Sequence, residues 1–148
     1  MWAGDATRGD AEGDFTQASV GHGASRVQRS AVRGDRIRWL DEQTATTAEA
    51  KAFGAFELVR QTLNASLFMG LCDFECHYAI YPRGATYERH LDRFRGDDAR
   101  AVSCVLYLNE GWTPDDGGLL RLYTDRGTLE GSPIVGTLSC LLSDLFAP

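Results

Sequence analysis

Apolar positions in the middle of the chain recur first at helical and then at strand intervals. In "TTAEAKAFGAFELVRQTLN", Phe53, Phe56, Val59 and Leu63 return every three or four residues, and Thr46 and Glu49 have capping-box spacing. The pattern predicts an amphipathic helix over about 47–63 with one face on a core, weakened slightly by Gly54. Ahead of it, "IRWLDE" (37–42) reads as a short buried strand or turn anchored by Trp39. Residues 1–30, rich in Gly, Asp, Ser and Ala, show little periodicity and read as an irregular segment. From residue 72 the period shortens. "CDFECHYAIYP" (72–82) reads as a strand closed at Pro82, "RGAT" as a turn, and "YERHLDRF" as alternating again. "RGDD" (95–98) is a second turn, and "AVSCVLYLNE" (101–110) is the clearest strand. "WTPDDGG" (112–118) is a turn-rich loop, followed by strands at "LLRLYT" (119–124) and "GTLSCLLSDLF" (136–146). One helix followed by closely spaced strands predicts a mainly β, α+β fold: an antiparallel barrel or jelly roll with the helix outside.

Composition narrows the class. A chain of 148 residues makes one domain, and 43% apolar with 24% charged residues is ordinary for a soluble globular protein. No apolar run approaches the roughly 20 residues of a membrane helix. The start, "MWAGDATRGDAEGD", lacks the basic-then-apolar pattern of a signal peptide, so a cytoplasmic protein with no membrane partner is expected. A net charge of -6 argues against nucleic acid as a partner. Cys72 and Cys76 form a lone C-x3-C; with Cys104 and Cys140 they read as free thiols of a reducing compartment. "RGD" at 8–10 and 33–35 and "NAS" at 64–66 match recognition and glycosylation patterns that require export, and are read as chance.

The chemistry concentrates in "TYERHLDRF" (86–94). On a strand, His90 and Asp92 project to the same side, one imidazole and one carboxylate. That pair suits Fe(II), whose oxygenase sites use two His and one carboxylate on one side of the ion. H-x-D also arises by accident, and a solvated edge pair is the alternative.

The surroundings favour the metal. "YAIYPRGATYERHLDRFRGDDARAVSCVLYLNEGWTPDDGGLLRLY" (78–123), with "VRGDRIRWLDE" (32–42) and "LFMGLCDFECHYAIYP", resembles the Fe(II)/2-oxoglutarate oxygenases of the prolyl 4-hydroxylase type, in particular bacterial relatives of the hypoxia-factor prolyl hydroxylases. The resemblance implies a double-stranded β-helix with iron at its mouth, and hydroxylation of a C–H bond, with a prolyl residue of a protein as the expected target, while 2-oxoglutarate becomes succinate. It implies Fe(II), 2-oxoglutarate and O2, with ascorbate a candidate further cofactor and a protein or peptide as substrate. By position, His90 and Asp92 match two iron ligands, and Tyr107 and Tyr81 match tyrosines that contact 2-oxoglutarate. Tyr87 and Arg100 match positions near the pocket or substrate. Core packing is the alternative for the two cosubstrate tyrosines, and a solvated turn charge for Arg100. His77 either lines the pocket or is structural.

In similar proteins a distal histidine, then an Arg or Lys, follows a segment like "TLSCLLSDLFAP". The expectation is therefore an incomplete domain over 31–148, with its last strands missing, an open apolar edge at "TLSCLLSDLF", and little or no activity. The alternatives are a non-catalytic jelly-roll binder, a decayed gene product, or a zinc protein using Cys72, Cys76, His77 and His90.

Overall fold

The computed structural model describes residues 4, 6, 9, 10, 13–18, 33–91, 100–143 and 146–147, without side chains at 91, 146 and 147. They fall into two compact units, one within 1–18 and 35–81, the other within 19–34 and 82–148.

The first unit is a three-stranded antiparallel sheet with one helix. Its strands are β1 (Thr16–Gln17), β2 (Arg36–Trp39) and β3 (His77–Ile80), in that order. Trp39 lies opposite His77, and Arg36 opposite Ile80. Helix α1 (Thr47–Leu67) starts as predicted: the Thr46 side chain accepts from the Glu49 N–H at 3.2 Å, and Glu49 accepts from the Thr46 N–H at 2.8 Å. The expected face is used. Ala52 and Phe53 are buried, Phe56, Val59 and Leu63 are half-buried, and the Phe53 and Phe56 rings meet Phe74 at 6.2 and 6.4 Å. The helix runs past residue 63 because Asn64 serves the chain that follows it. Its carboxamide accepts from the Leu71 N–H at 2.7 Å and donates to the Leu71 carbonyl at 2.9 Å. Phe68 then ends the helix in the left-handed region, φ 54°.

Phe15 and Ala18, flanking β1, are core residues of this unit, and Asp35 is wholly buried. The Asp35 carbonyl accepts from the Ala18 N–H and from the Gln17 carboxamide at 3.0 and 3.1 Å. Glu49, 2% exposed, pairs with Arg38, which lies over the Tyr78 ring at 5.2 Å. Strand β3 is shorter than the predicted 72–82, since residues 72–76 hold no ladder and Phe74 serves the helix.

The second unit is antiparallel throughout its described residues. One sheet has the order β4 (His90–Leu91), β9 (Phe146–Ala147), β6 (Leu120–Thr124), β7 (Gly127–Gly131); the other pairs β5 (Val102–Leu106) with β8 (Leu138–Leu142). Three sequence expectations change. The stretch from Tyr87 is not one strand: Tyr87 makes an isolated bridge to Arg33, and regular pairing begins at His90. The predicted strand at 136–146 is two, one in each sheet. Strand β7 was not foreseen. "GTLEG" has no apolar alternation, yet it closes a tight hairpin on β6, Thr124 opposite Gly127. The loop at 112–118 is a turn as expected, with Trp112 Nε1 donating to the Gly117 carbonyl at 2.8 Å and Pro114–Asp116 forming one 3-10 turn.

Candidate active site

His90 opens β4, opposite Ala147. Its Nδ1 lies 2.7 Å from the Glu88 carbonyl oxygen. A carbonyl only accepts, so Nδ1 carries a proton, and in the neutral ring the lone pair that a metal requires is then on Nε2. The ring is also held on its face. Tyr87 stacks on it at 3.6 Å between centroids and 17° between planes. The Arg33 guanidinium lies 4.7 Å from the centre of the Tyr87 ring, and its NH1 donates to the Tyr87 hydroxyl at 3.5 Å. Gly34 makes this approach possible. A Cβ there would stand 3.0 Å from the Ala85 Cβ and 3.3 Å from its Cα, while the Gly34 N–H donates to the Thr86 carbonyl at 3.0 Å.

Tyr107 follows β5. Its backbone N–H donates to the Thr137 carbonyl at 3.0 Å, and its side chain hydrogen-bonds Ser139 of β8. Burial raises the phenol's pKa above its ordinary value, and the Ser139 hydrogen bond pulls it the other way. At neutral pH the group is therefore a protonated donor, suited to a carboxylate. Ser139 also lines a cavity of about 320 Å³ between the two sheets, walled by Leu120, Leu122, Leu129, Leu138 and Cys140.

The other expected residues stand as follows. Asp92 lies outside the described residues. Tyr81 follows β3 in the first unit and is 48% exposed. His77 is exposed and tilted against Trp39 at 4.7 Å between ring centroids. Arg100 is exposed just before β5. Among the described residues no three His, Cys, Asp or Glu side chains are grouped to hold a metal, the four proposed for zinc included. Sequence reading missed Arg33, Gly34 and Ser139. The first two sit in the quoted "VRGDRIRWLDE", but only the fold puts them beside Tyr87.

A histidine held on its edge and its face, and a half-buried phenol bonded to Ser139, both carried on antiparallel strands, are what the structure describes of the site expected from the sequence. A model of the 2OG-Fe(II) oxygenase superfamily matches residues 76–146. A solved Pseudomonas putida prolyl-4-hydroxylase is similar at 45% identity and TM-score 0.86, over 98% of this chain and 73% of its own. A Trichoplax adhaerens prolyl hydroxylase, solved in complex with a hypoxia inducible factor oxygen degradation domain peptide fragment, is similar at 26% identity and TM-score 0.82, over 97% and 68%. Human Egl nine homolog 1 is 32% identical over 101 residues, 64% of this chain, and the chain spans 23% of that protein's length. The chain belongs to the 2OG-Fe(II) oxygenases, of the prolyl 4-hydroxylase type. Membership brings with it the double-stranded β-helix fold.

Proposed function

We propose that this protein is an Fe(II)- and 2-oxoglutarate-dependent dioxygenase that hydroxylates a C–H bond of a prolyl residue in a protein or peptide. The observation that carries this reading is the 45% identity to the Pseudomonas putida prolyl-4-hydroxylase across 98% of the chain. The peptide bound to the Trichoplax relative supports the substrate class.

His90 fits the metal through its lone-pair nitrogen, and Asp92 is the proposed second ligand. Bound there with 2-oxoglutarate, Fe(II) would supply oxygen activation coupled to decarboxylation. The protein's own residues supply the rest. Tyr87 and the Glu88 carbonyl hold the His90 ring in one tautomer and one plane. Tyr107 donates its hydroxyl proton to a carboxylate of 2-oxoglutarate. Ser139, the hydroxyl partner of Tyr107, also lines the nearby cavity. Arg100 is proposed to contact the substrate.

The test is succinate release from 2-oxoglutarate with Fe(II) and a proline-containing peptide. Little or no turnover is expected of this chain, and whatever succinate it releases is expected to be lost in His90→Ala and Asp92→Ala. Tyr107→Phe removes one hydrogen bond to a charged group and is expected to raise KM for 2-oxoglutarate about tenfold with kcat nearly unchanged. The same assay on Tyr81→Phe tests the second tyrosine. Fe(II) or Mn(II) binding that neither His90→Ala nor Asp92→Ala weakens would overturn the enzyme reading and leave a binding protein.

A further inference from the structure

Two cysteines face each other across β5 and β8, Cys104 opposite Cys140. Hydrogen bonds beyond the two ends of the ladder fix the kind of pair they make. The Ser143 N–H donates to the Ala101 carbonyl at 3.0 Å, and the Tyr107 N–H to the Thr137 carbonyl at 3.0 Å. Both bonds lie in the same register as the Cys104–Cys140 pair. Hydrogen-bonded pairs alternate along an antiparallel ladder, so they fall at Ala101, Ser103, Val105 and Tyr107. Val102, Cys104 and Leu106 are therefore at non-hydrogen-bonded positions, where opposing Cα atoms approach to about 4.5 Å and side chains are closest. A disulfide spans Cα separations of roughly 4.4–6.8 Å, so this pair can close without moving the strands. Neither cysteine is in a disulfide in this structure, Cys104 being half-buried and Cys140 exposed. Cys76 offers a contrast. Burial, with Glu42 and Glu75 nearby, pushes the Cys76 thiol up to about 11, which leaves little thiolate to react.

We propose that Cys104 and Cys140 are a redox modification site, closed by peroxide to one intramolecular cross-strand disulfide and reopened by thiols. The Cys140 thiolate attacks a peroxide oxygen and breaks the O–O bond, giving a sulfenic acid and, after protonation, water. The Cys104 sulfur attacks the sulfenic sulfur, forming the S–S bond and releasing a second water. Two thiols lose two electrons and two protons, and one hydrogen peroxide becomes two waters. An external dithiol reverses the step and becomes the disulfide itself. The bridge ties together the strands that carry Tyr107 and Ser139, one residue from the latter.

The experiment treats the native protein with hydrogen peroxide, blocks remaining thiols, digests it without reductant and reads the peptides by mass spectrometry. The expected product is a Cys104–Cys140 crosslink two hydrogens lighter than the free peptides. It disappears with dithiothreitol and persists in a Cys72→Ser/Cys76→Ser double variant. In Cys104→Ser, a sulfenic acid at Cys140 is expected to be trapped by dimedone. Peroxide that yields only a Cys72–Cys76 link, only intermolecular links, or only sulfinic acids overturns the proposal. If the serine variants fail to fold, the wild-type digest alone decides between these outcomes.

Discussion

At His90 the imidazole is constrained in two independent ways, along its edge by the Glu88 carbonyl and across its face by Tyr87. The edge contact selects the tautomer and the face contact selects the ring plane. Arg33 acts on the second through a cation–π contact with Tyr87, which is worth about 0.5–1 kcal/mol at an accessible site. Removing such an outer support typically costs 10–100-fold in metal affinity. Tyr87→Ala is therefore expected to weaken Mn(II) binding, followed by electron paramagnetic resonance, by roughly tenfold. Tyr87→Phe keeps the ring, so it should stay within about threefold of wild type; equal losses in both variants would show that stacking is not what matters. The imidazole was legible in the sequence because H-x-D is a local pattern. Arg33 was not, because its partner is 54 residues away and nothing in either segment announces the other. Ser139 was hidden in the same way, one hydroxyl in an apolar strand.

Among the elements, α1 was the most legible, because its cap and its face are both encoded within three or four residues. Glu49 serves the cap and the ion pair with Arg38 together. Burial alone would raise its carboxyl pKa, but the Thr46 N–H, Arg38 and the Thr46 hydroxyl together hold it below the ordinary 4.5. A lowered folded-state pKa means that the stabilisation is complete above the unfolded value and is lost as the pH falls through the folded one. Glu49→Gln is expected to cost roughly 2–4 kcal/mol at pH 7, by urea denaturation, since it leaves Arg38 without its charge partner. The gap between variant and wild type should narrow as the pH drops below 4.5; a gap independent of pH would sink the assignment. Thr46→Ala is expected to cost about 1 kcal/mol. The strands were less legible. Local alternation located β5 and β6, but β7 forms because a tight turn brings it back to β6, and its own residues carry almost no signal. The division of 136–146 between two sheets is likewise a matter of partners rather than of composition.

For the molecule as a whole, family membership was legible because several weak motifs occur in one order along the chain, and the similarity to the bacterial enzyme, at 45% identity, runs over 98% of it. No helix among the described residues is long and apolar enough to cross a membrane. The face of β8 bearing Leu138 and Leu142 is 41% and 46% exposed, which leaves apolar surface open to other copies. Leu142→Glu is expected to reduce light scattering on standing while changing unfolding free energy by no more than about 0.5 kcal/mol, the usual range for a surface change. A loss of several kcal/mol would mean that the side chain is needed inside. The triplet at 33–35 has a further consequence. Arg33 lies on an aromatic ring, Gly34 admits a neighbouring backbone, and Asp35 has no solvent contact at all. A ligand that reads an extended, solvent-facing Arg-Gly-Asp would find this copy of the tripeptide closed to it in the folded chain, the aspartate shut away and the arginine laid flat on an aromatic ring.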